Sequence, residues 1–437
     1  MEDFMTNSKK RFWASLVIFS LVGQIAWVVE NMYFNVFIYK MFNASETDIS
    51  LMVMVSAVAA TLTTVLIGAL ADKLGRRKIF IAGGYILWGI SILAFALVRI
   101  DIISAVFPTA ASAAAIGVTL VIVMDAVMTF FGSSANDAAF NAWLTDAADK
   151  ERRGAAEGIN AMMPLVAILA VFGGFMAFDL DKRESWTWIF IIIGTAVILI
   201  GILGFFLIEE VPVKTEENQS YFKNILYGFR PSVIKENKKL YLALIGFALF
   251  GISIQIFMPY LILYYEVSLA LENYVLIMAP AIIVASFVTA LYGRLYDHLG
   301  FLKALLPTLA SLSVGYILLF LFDNVALVFI GSLLMMCGYL SGAAVFGAVI
   351  RDRIPENRSG MFQGLRIFAQ VLIPGVIGPA IGAAVLANAE KIVNSDGTTS
   401  FVPNEMIFLA ALLACLVLCA FIAVEALLER RTCNETR

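Results

Sequence analysis

The sequence predicts an all-α membrane protein of twelve transmembrane helices arranged as two six-helix halves. Three observations carry this prediction. Of 437 residues, 61% are hydrophobic and only 14% charged, with mean hydropathy +0.90. Soluble domains average about 45–50% apolar and about 25% charged residues. Twelve apolar stretches are long enough to span lipid, and a short charged motif occurs twice, once in each half of the chain.

A bilayer core about 30 Å thick requires roughly 20 apolar residues per helix. The polar segments "NASETD", "DKLGRRK", "RID", "TDAADKERRG", "DLDKRES", the 209–239 stretch, "LEN", "DHLG", "DN", "RDRIPENRS", "AEKIVNSDG" and "ERRTCNETR" end the stretches one by one. The spans they leave lie near 13–41, 49–71, 78–98, 115–146, 156–178, 187–208, 240–265, 273–296, 302–322, 325–350, 360–388 and 404–428. The first follows "MEDFMTNSKKRFW" with no small-residue cleavage site and is too long for a signal-peptide core, so it is expected to be a retained helix. With the N-terminus inside, the outer side receives five of the thirty Lys and Arg: Lys40, Arg99, Lys182, Arg183 and Lys391. That asymmetry orients the chain with both termini cytoplasmic. Residues 209–239 ("EEVPVKTEENQSYFKNILYGFRPSVIKENKK") are too charged to insert and too few to bury a core. They are expected to be a cytoplasmic linker between an N-terminal bundle, 1–208, and a C-terminal bundle, 240–437, with an amphipathic surface helix near "YFKNILYGF".

The composition excludes several classes. A net charge of -3 gives no basis for nucleic-acid binding, and the single histidine, His298, leaves no His-rich metal site. Cys337, Cys415, Cys419 and Cys433 lack metal or disulfide spacing and are expected to pack apolar surfaces. No metal or organic cofactor is expected. HExxH, GxSxG and GxxxxGK[ST] are absent, which argues against an enzyme and against an ATP-driven pump.

The repeat lies in "GALADKLGRRKIF" and its echo "GRLYDHLGFLK". Gly68, Asp72, Gly75 and Lys78 match Gly293, Asp297, Gly300 and Lys303, each 225 positions later. "RRGAAEG", with Arg153, Gly154 and Gly158, is echoed by "RSGMFQG", with Arg358, Gly360 and Gly364. Each pair falls in the connection of equal rank within its half. Two parallel repeats are expected, with a binding site near the membrane midplane.

The first motif fills every position of G-x-x-x-D-[KR]-x-G-[RK]-R-[RK], and on it the chain resembles the major facilitator superfamily. The resemblance implies that superfamily's twelve-helix fold, alternating access, and a cytoplasmic gate in which Asp72 meets a basic residue and the start of span eleven. A helix N-terminus carries about half a positive charge, so Asp72 there would be stabilised. Gate residues expected on this basis are Gly68, Asp72, Gly75, Arg76, Arg77, Asp146, Arg153, Asp297 and Arg358, with Asp146 paired to Arg76 or Arg77.

Charge at mid-membrane costs about 2.5–3.5 kcal/mol even on a lenient scale, so an embedded carboxylate is a functional candidate. Asp137 lies about ten residues, roughly 15 Å, from the inner end of span four, and Glu30 about 5 Å beyond the centre of span one. Asp125 sits about one third along span four. On an ideal helix Asp125 and Asn136 share a face and Asp137 is turned about 100° from Asn136. In "QIAWVVENMYFNVFIY", Gln24, Asn31 and Asn35 form a polar stripe among aromatic residues, a combination suited to a neutral polyol. Helix-to-helix bonding and core packing are the competing readings of the same residues. From the second half, the offset places Gln255 opposite Glu30 and Tyr260 opposite Asn35.

"ANDAAFNAWLTDAADKERRG" further resembles the fourth helix and following loop of the glycoside-pentoside-hexuronide:cation symporters. That likeness implies a sugar-binding role for Asp137. The symporters' acids on helix two have no counterpart before Asp72, and their helix-eleven lysine is unmatched. A sodium site of their kind is therefore not expected, and coupling falls to Glu30, Asp125 or Asp137, preferably by H+ rather than Na+. The resulting expectation is a monomeric plasma-membrane symporter of a small polar solute, a sugar or glycoside. A proton-coupled exporter of drugs or metabolites is the alternative, although G-P-x-x-G-G is absent from span five and only a related "GPAIG" occurs on span eleven. A non-transporting receptor is a third reading, against which the cost of the embedded carboxylates counts.

Overall fold

The computed structural model describes residues 2–108, 112–148, 153–211, 226–271, 273–354, 364–394 and 398–435. Among them are twelve helices long and apolar enough to span a bilayer: α1 (Lys10–Phe42), α2 (Glu46–Gly68), α3 (Arg77–Leu97), α4 (Ala113–Ala147), α5 (Gly158–Phe175), α6 (Arg183–Leu207), α7 (Lys238–Ser268), α8 (Val275–Leu299), α9 (Phe301–Leu321), α10 (Val325–Arg353), α11 (Gly364–Leu386) and α12 (Met406–Leu427). The chain forms two compact units, Met1–Gln219 with Ser395–Ser400, and Ser220–Asn394 with Phe401–Arg437. The first holds α1 to α6 and the second α7 to α12.

Within each unit much of the helix pairing repeats. α1 packs on α5 as α7 packs on α11, and α2 on α4 as α8 on α10; α3 packs chiefly on α6, whereas its counterpart α9 packs chiefly on α10 and less on α12. The repeat in the motif is thus a repeat of the bundle. Lipid tails are as apolar as leucine, so these contacts depend on van der Waals fit at small residues. Gly89, Gly194 and Gly201 bring α3 and α6 together, Gly315, Gly331 and Gly338 do so for α9 and α10, and Gly378 with Gly382 seats α11 on α7. The "GPAIG" stretch is therefore a packing element.

Helix ends follow local chemistry. The Ser45 hydroxyl accepts from the Asp48 amide at 3.2 Å while the Asp48 carboxylate accepts from the Ser45 amide at 2.9 Å, a reciprocal cap that starts α2. The helix of α2 runs on to Leu74 and is closed by Gly75 at φ +60°. Gly300, its repeat partner, closes α8 at φ +76°. Both motif glycines thus occupy left-handed backbone that side chains avoid, which is a physical reason for their recurrence.

Three features depart from the sequence expectation. Residues 391–393 and 399–401, between α11 and α12, pair as two short strands, β1 (Lys391–Val393) and β2 (Thr399–Phe401). The expected surface helix in the linker lies mostly outside the described residues, and its described end, Leu226–Phe229, is a single 3-10 turn followed by the short helix Pro231–Glu236. Finally, wide π-helical turns interrupt α1 (Val29–Tyr33), α4 (Ser133–Phe140), α7 (Tyr264–Ser268) and α11 (Phe368–Leu372).

Candidate transport site

The wide turns coincide with embedded polar residues. Glu30 and Asn31 lie in the first, Asn136 and Asp137 in the second, Glu266 in the third and Gln370 in the fourth. Such turns insert a residue into the helix and often mark functional sites. They also shift the helical phase, which invalidates face assignments made on an ideal helix.

Glu30 is 6% exposed and Asp125 2% exposed, both inside the first unit. Thr129 donates to Glu30 Oε1 at 2.7 Å. Ser56 donates to Asp125 Oδ2, and the Thr129 and Ser56 hydroxyls are 3.4 Å apart. Two carboxyls are thereby joined through hydroxyls from α2 and α4. Glu30 Oε2 and Asp125 Oδ1 are buried without a hydrogen-bond partner among the described residues. Asp137, half-buried, accepts from Ser133 at 3.0 Å, one helical turn away on the same helix.

Asn136 departs from its expected role. It is 3% exposed, and its amide donates to Tyr85 Oη at 2.6 Å while Tyr85 donates to the Phe19 carbonyl at 2.7 Å. It therefore points to α3 and to Gly23 of α1, not to the side on which Asp125 meets Ser56. The face shared with Asp125 on an ideal helix is lost at the wide stretch from Ser133, and Asn136 is a packing contact here. The stripe on α1 also divides. Asn31 is exposed and donates to the Trp27 carbonyl at 2.8 Å. Asn35 is buried, donates to the Asn31 carbonyl at 3.1 Å, and leaves its own Oδ1 without a partner among the described residues. In the second unit Gln255 is half-buried, and fully buried Tyr260 packs edge-on against Phe401 with ring centroids 6.2 Å apart. Glu266 lies beyond the seventh span that apolar length predicts, which ends at 265, because the wide turn carries α7 to Ser268.

At the end of the first unit that carries its Lys/Arg-rich connections, Arg77 pairs with Asp146, one of the two partners expected. Arg76 is exposed and precedes α3. Asp352, 206 residues after Asp146, instead accepts from Tyr296 Oη at 2.6 Å. The repeated carboxylate is kept while its partner changes. Gly68 is half-buried and Asp297 exposed. The side chains of Asp72 and Arg153, and all of Arg358, lie outside the described residues. The Arg77 and Asp146 side chains are 7% and 36% exposed, between surface and buried ion pairs. A double-mutant cycle on Arg77→Gln and Asp146→Asn is expected to give a coupling of about 1–2 kcal/mol in unfolding experiments.

At the opposite end the first unit carries a charged clasp. Arg99 forks onto Asp101 at 3.1 and 3.0 Å, Arg183 reaches the same carboxylate at 3.1 Å, and Lys40 pairs with Asp181 at 3.0 Å. Lys40, Arg99, Asp181 and Arg183 line a cavity of 460 Å³ together with Phe37, Phe95 and Trp186. The Arg99 hydrogen bonds hold the Asp101 carboxyl below its usual range. A carboxylate whose folded value is depressed stabilises the protein above the ordinary aspartate value, about 3.9, and loses that contribution as pH falls through the folded value. Asp101→Asn is accordingly expected to lower the melting temperature at pH 7. The difference from the unmodified protein should shrink below about pH 4.

Two six-helix units, with carboxyls buried deep inside the first, define a multi-pass membrane protein. The chain belongs to the Major Facilitator Superfamily, whose sequence model matches residues 16–379; this membership makes it a transporter and not an enzyme. The match is to the superfamily and does not single out the glycoside-pentoside-hexuronide group. Among solved structures the chain is similar to a bacterial homolog of the human lysosomal transporter Spinster, inward-facing and unoccupied, at 17% identity and TM-score 0.68, covering 95% of this chain and 96% of that one. It is similar also to the nucleoside transporter NupG, at 15% identity and TM-score 0.67, covering 94% of this chain and 98% of that one. Likeness at these identities concerns the fold. No curated protein sequence matches the chain significantly.

Proposed function

We propose that this protein is a proton-coupled symporter that brings a small hydroxylated solute, a sugar or glycoside, across the plasma membrane by alternating access, with both termini in the cytoplasm. The observation that carries the reading is the Glu30–Thr129–Ser56–Asp125 chain. Two carboxyls held in the apolar interior without a buried cation beside them among the described residues are costly as anions. Taking up and releasing a proton relieves that cost once per cycle. Asp137 is the proposed solute ligand, supported by its position in the wide turn of α4 and its single hydroxyl partner. Asn31, exposed on α1 beside aromatic residues, is proposed to bind solute hydroxyls. Asn136 is left out of this set because its amide is committed to Tyr85.

NupG is by name a nucleoside transporter. Nucleosides are N-glycosides, so they belong in the same test. The test is uptake into proteoliposomes under an imposed pH gradient or an imposed sodium gradient, screening sugars, glycosides, nucleosides and amino acids. Accumulation of a sugar or nucleoside under the pH gradient supports the proposal. Accumulation driven only by sodium, or only of unrelated solutes, removes it.

A further inference from the structure

The hydroxyls between Glu30 and Asp125 allow the protons of the site to be counted. Three links join the carboxyls: Glu30 to Thr129 at 2.7 Å, Thr129 to Ser56 at 3.4 Å, and Ser56 to Asp125. Each link needs one hydrogen, and each hydroxyl owns one. Two links are thus filled from Thr129 and Ser56, and the third hydrogen must come from a carboxyl. With both carboxyls ionised, Thr129 donates to Glu30 and Ser56 to Asp125, so the middle link has no hydrogen; it is the longest of the three. With one proton on either carboxyl all three links fill, running from Glu30 to Asp125 or back. A second proton has no place in the chain; it would have to sit on Glu30 Oε2 or Asp125 Oδ1, where its O–H would be buried with no acceptor among the described residues.

The rest of the unit does not alter that count. The other ionisable side chains of the six spans near the pair are Asp137, bonded to Ser133, Tyr85, bonded to Asn136, and Tyr33, packed on Phe175. Between their charged ends, α2, α5 and α6 contribute none. The charged residues buried in this unit, among those described, are Glu30, Asp125 and Arg77, and Arg77 pairs with Asp146 at the end that carries the Lys/Arg-rich connections.

We propose that Glu30 and Asp125 together hold one exchangeable proton, passed between them through the Thr129 and Ser56 hydroxyls, so that the site loads one proton per cycle and not two. In the transfer, the Glu30 O–H bond breaks as Thr129 Oγ1 gains that hydrogen. Thr129 gives its own hydrogen to Ser56 Oγ, and Ser56 gives its own to Asp125 Oδ2. One proton has then moved and the negative charge has returned to Glu30. Thr129 and Ser56 act as positioning residues. This inference rests on the coupling role proposed above for the pair, but it can be tested without a solute.

The test is infrared titration of the full-length protein in lipid nanodiscs, counting protonated carboxyls per chain in an Asp137→Asn background. Relative to a Glu30→Gln, Asp125→Asn double variant, which keeps Glu266 and the surface acids, one further carboxyl per chain is expected to titrate. Glu30→Gln and Asp125→Asn should each remove that band completely, because an amide N–H supplies the missing hydrogen and leaves the other carboxyl ionised. Thr129→Val, or Ser56→Ala if the valine variant fails to fold, should produce two separate transitions of one carboxyl each. If the unmodified chain titrates two further carboxyls, and each amide variant keeps one, the carboxyls are independent and the inference is overturned. Absence of any further titrating band overturns it as well. A shared proton found in a sodium-driven transporter would retain this inference and remove the coupling role; proton-driven uptake with independent carboxyls would do the reverse.

Discussion

Glu30→Gln is expected to abolish uphill accumulation driven by a pH gradient while leaving exchange of labelled for unlabelled solute intact. A gradient of two pH units stores about 2.7 kcal/mol per proton and can support about 100-fold accumulation. The glutamine side chain keeps the shape of a protonated glutamate and can donate to Thr129, but it cannot release a proton. The expected ratio of internal to external solute therefore falls from about 100 toward 1, which the gradient arithmetic sets as the limit. Asp137→Asn should behave differently, slowing uptake and exchange together, because an altered solute ligand affects every half-cycle. Proteoliposome uptake with a solute identified by the screen, followed by counterflow in the same vesicles, separates the two. Full accumulation by the Glu30 variant would remove the carboxyl pair from coupling.

The fold was legible because lipid imposes a severe rule: each crossing needs its own run of apolar residues, and polar connections must fall between runs. The repeat was legible because Gly75 and Gly300 answer a backbone need, positive φ at a helix end, that few other residues meet. The site was less so. Glu30, Asp125 and Asp137 stand out for their cost in lipid, but their partners, Thr129, Ser56 and Ser133, are ordinary residues in apolar helices that carry no signal of their own. Asn136 was placed beside Asp125 by ideal periodicity, and the wide turn, which composition does not announce, rotates it to Tyr85. Glu266 is hidden from span counting in a similar way, since the turn at Tyr264–Ser268 lengthens its helix past the end that apolar length predicts. Periodicity thus located helices better than it oriented their polar residues, because a single inserted residue preserves a helix while changing its phase.

Gly315→Ala is expected to destabilise the second unit by about 1–3 kcal/mol, the usual cost of overpacking, and Gly315→Leu to prevent its folding. An added Cβ at Gly315 would lie 2.8 Å from both the Gly331 carbonyl oxygen and the Met335 Cα on α10. Both are backbone atoms, which cannot swing aside as a side-chain tip can. The contact cannot be relieved cheaply either, since α9 and α10 are held in lipid by close fit and not by exclusion of water. Gly347, on α10 itself, supplies the contrast, because nothing lies within 4 Å of its added Cβ. There alanine should stabilise the helix by up to about 1 kcal/mol through propensity alone. Thermal unfolding of both variants in the same detergent measures the difference in sign. Equal effects would mean that the close approach of α9 and α10 is not what holds the unit together, and the small residues at Gly331 and Gly338 would then lose their role as well.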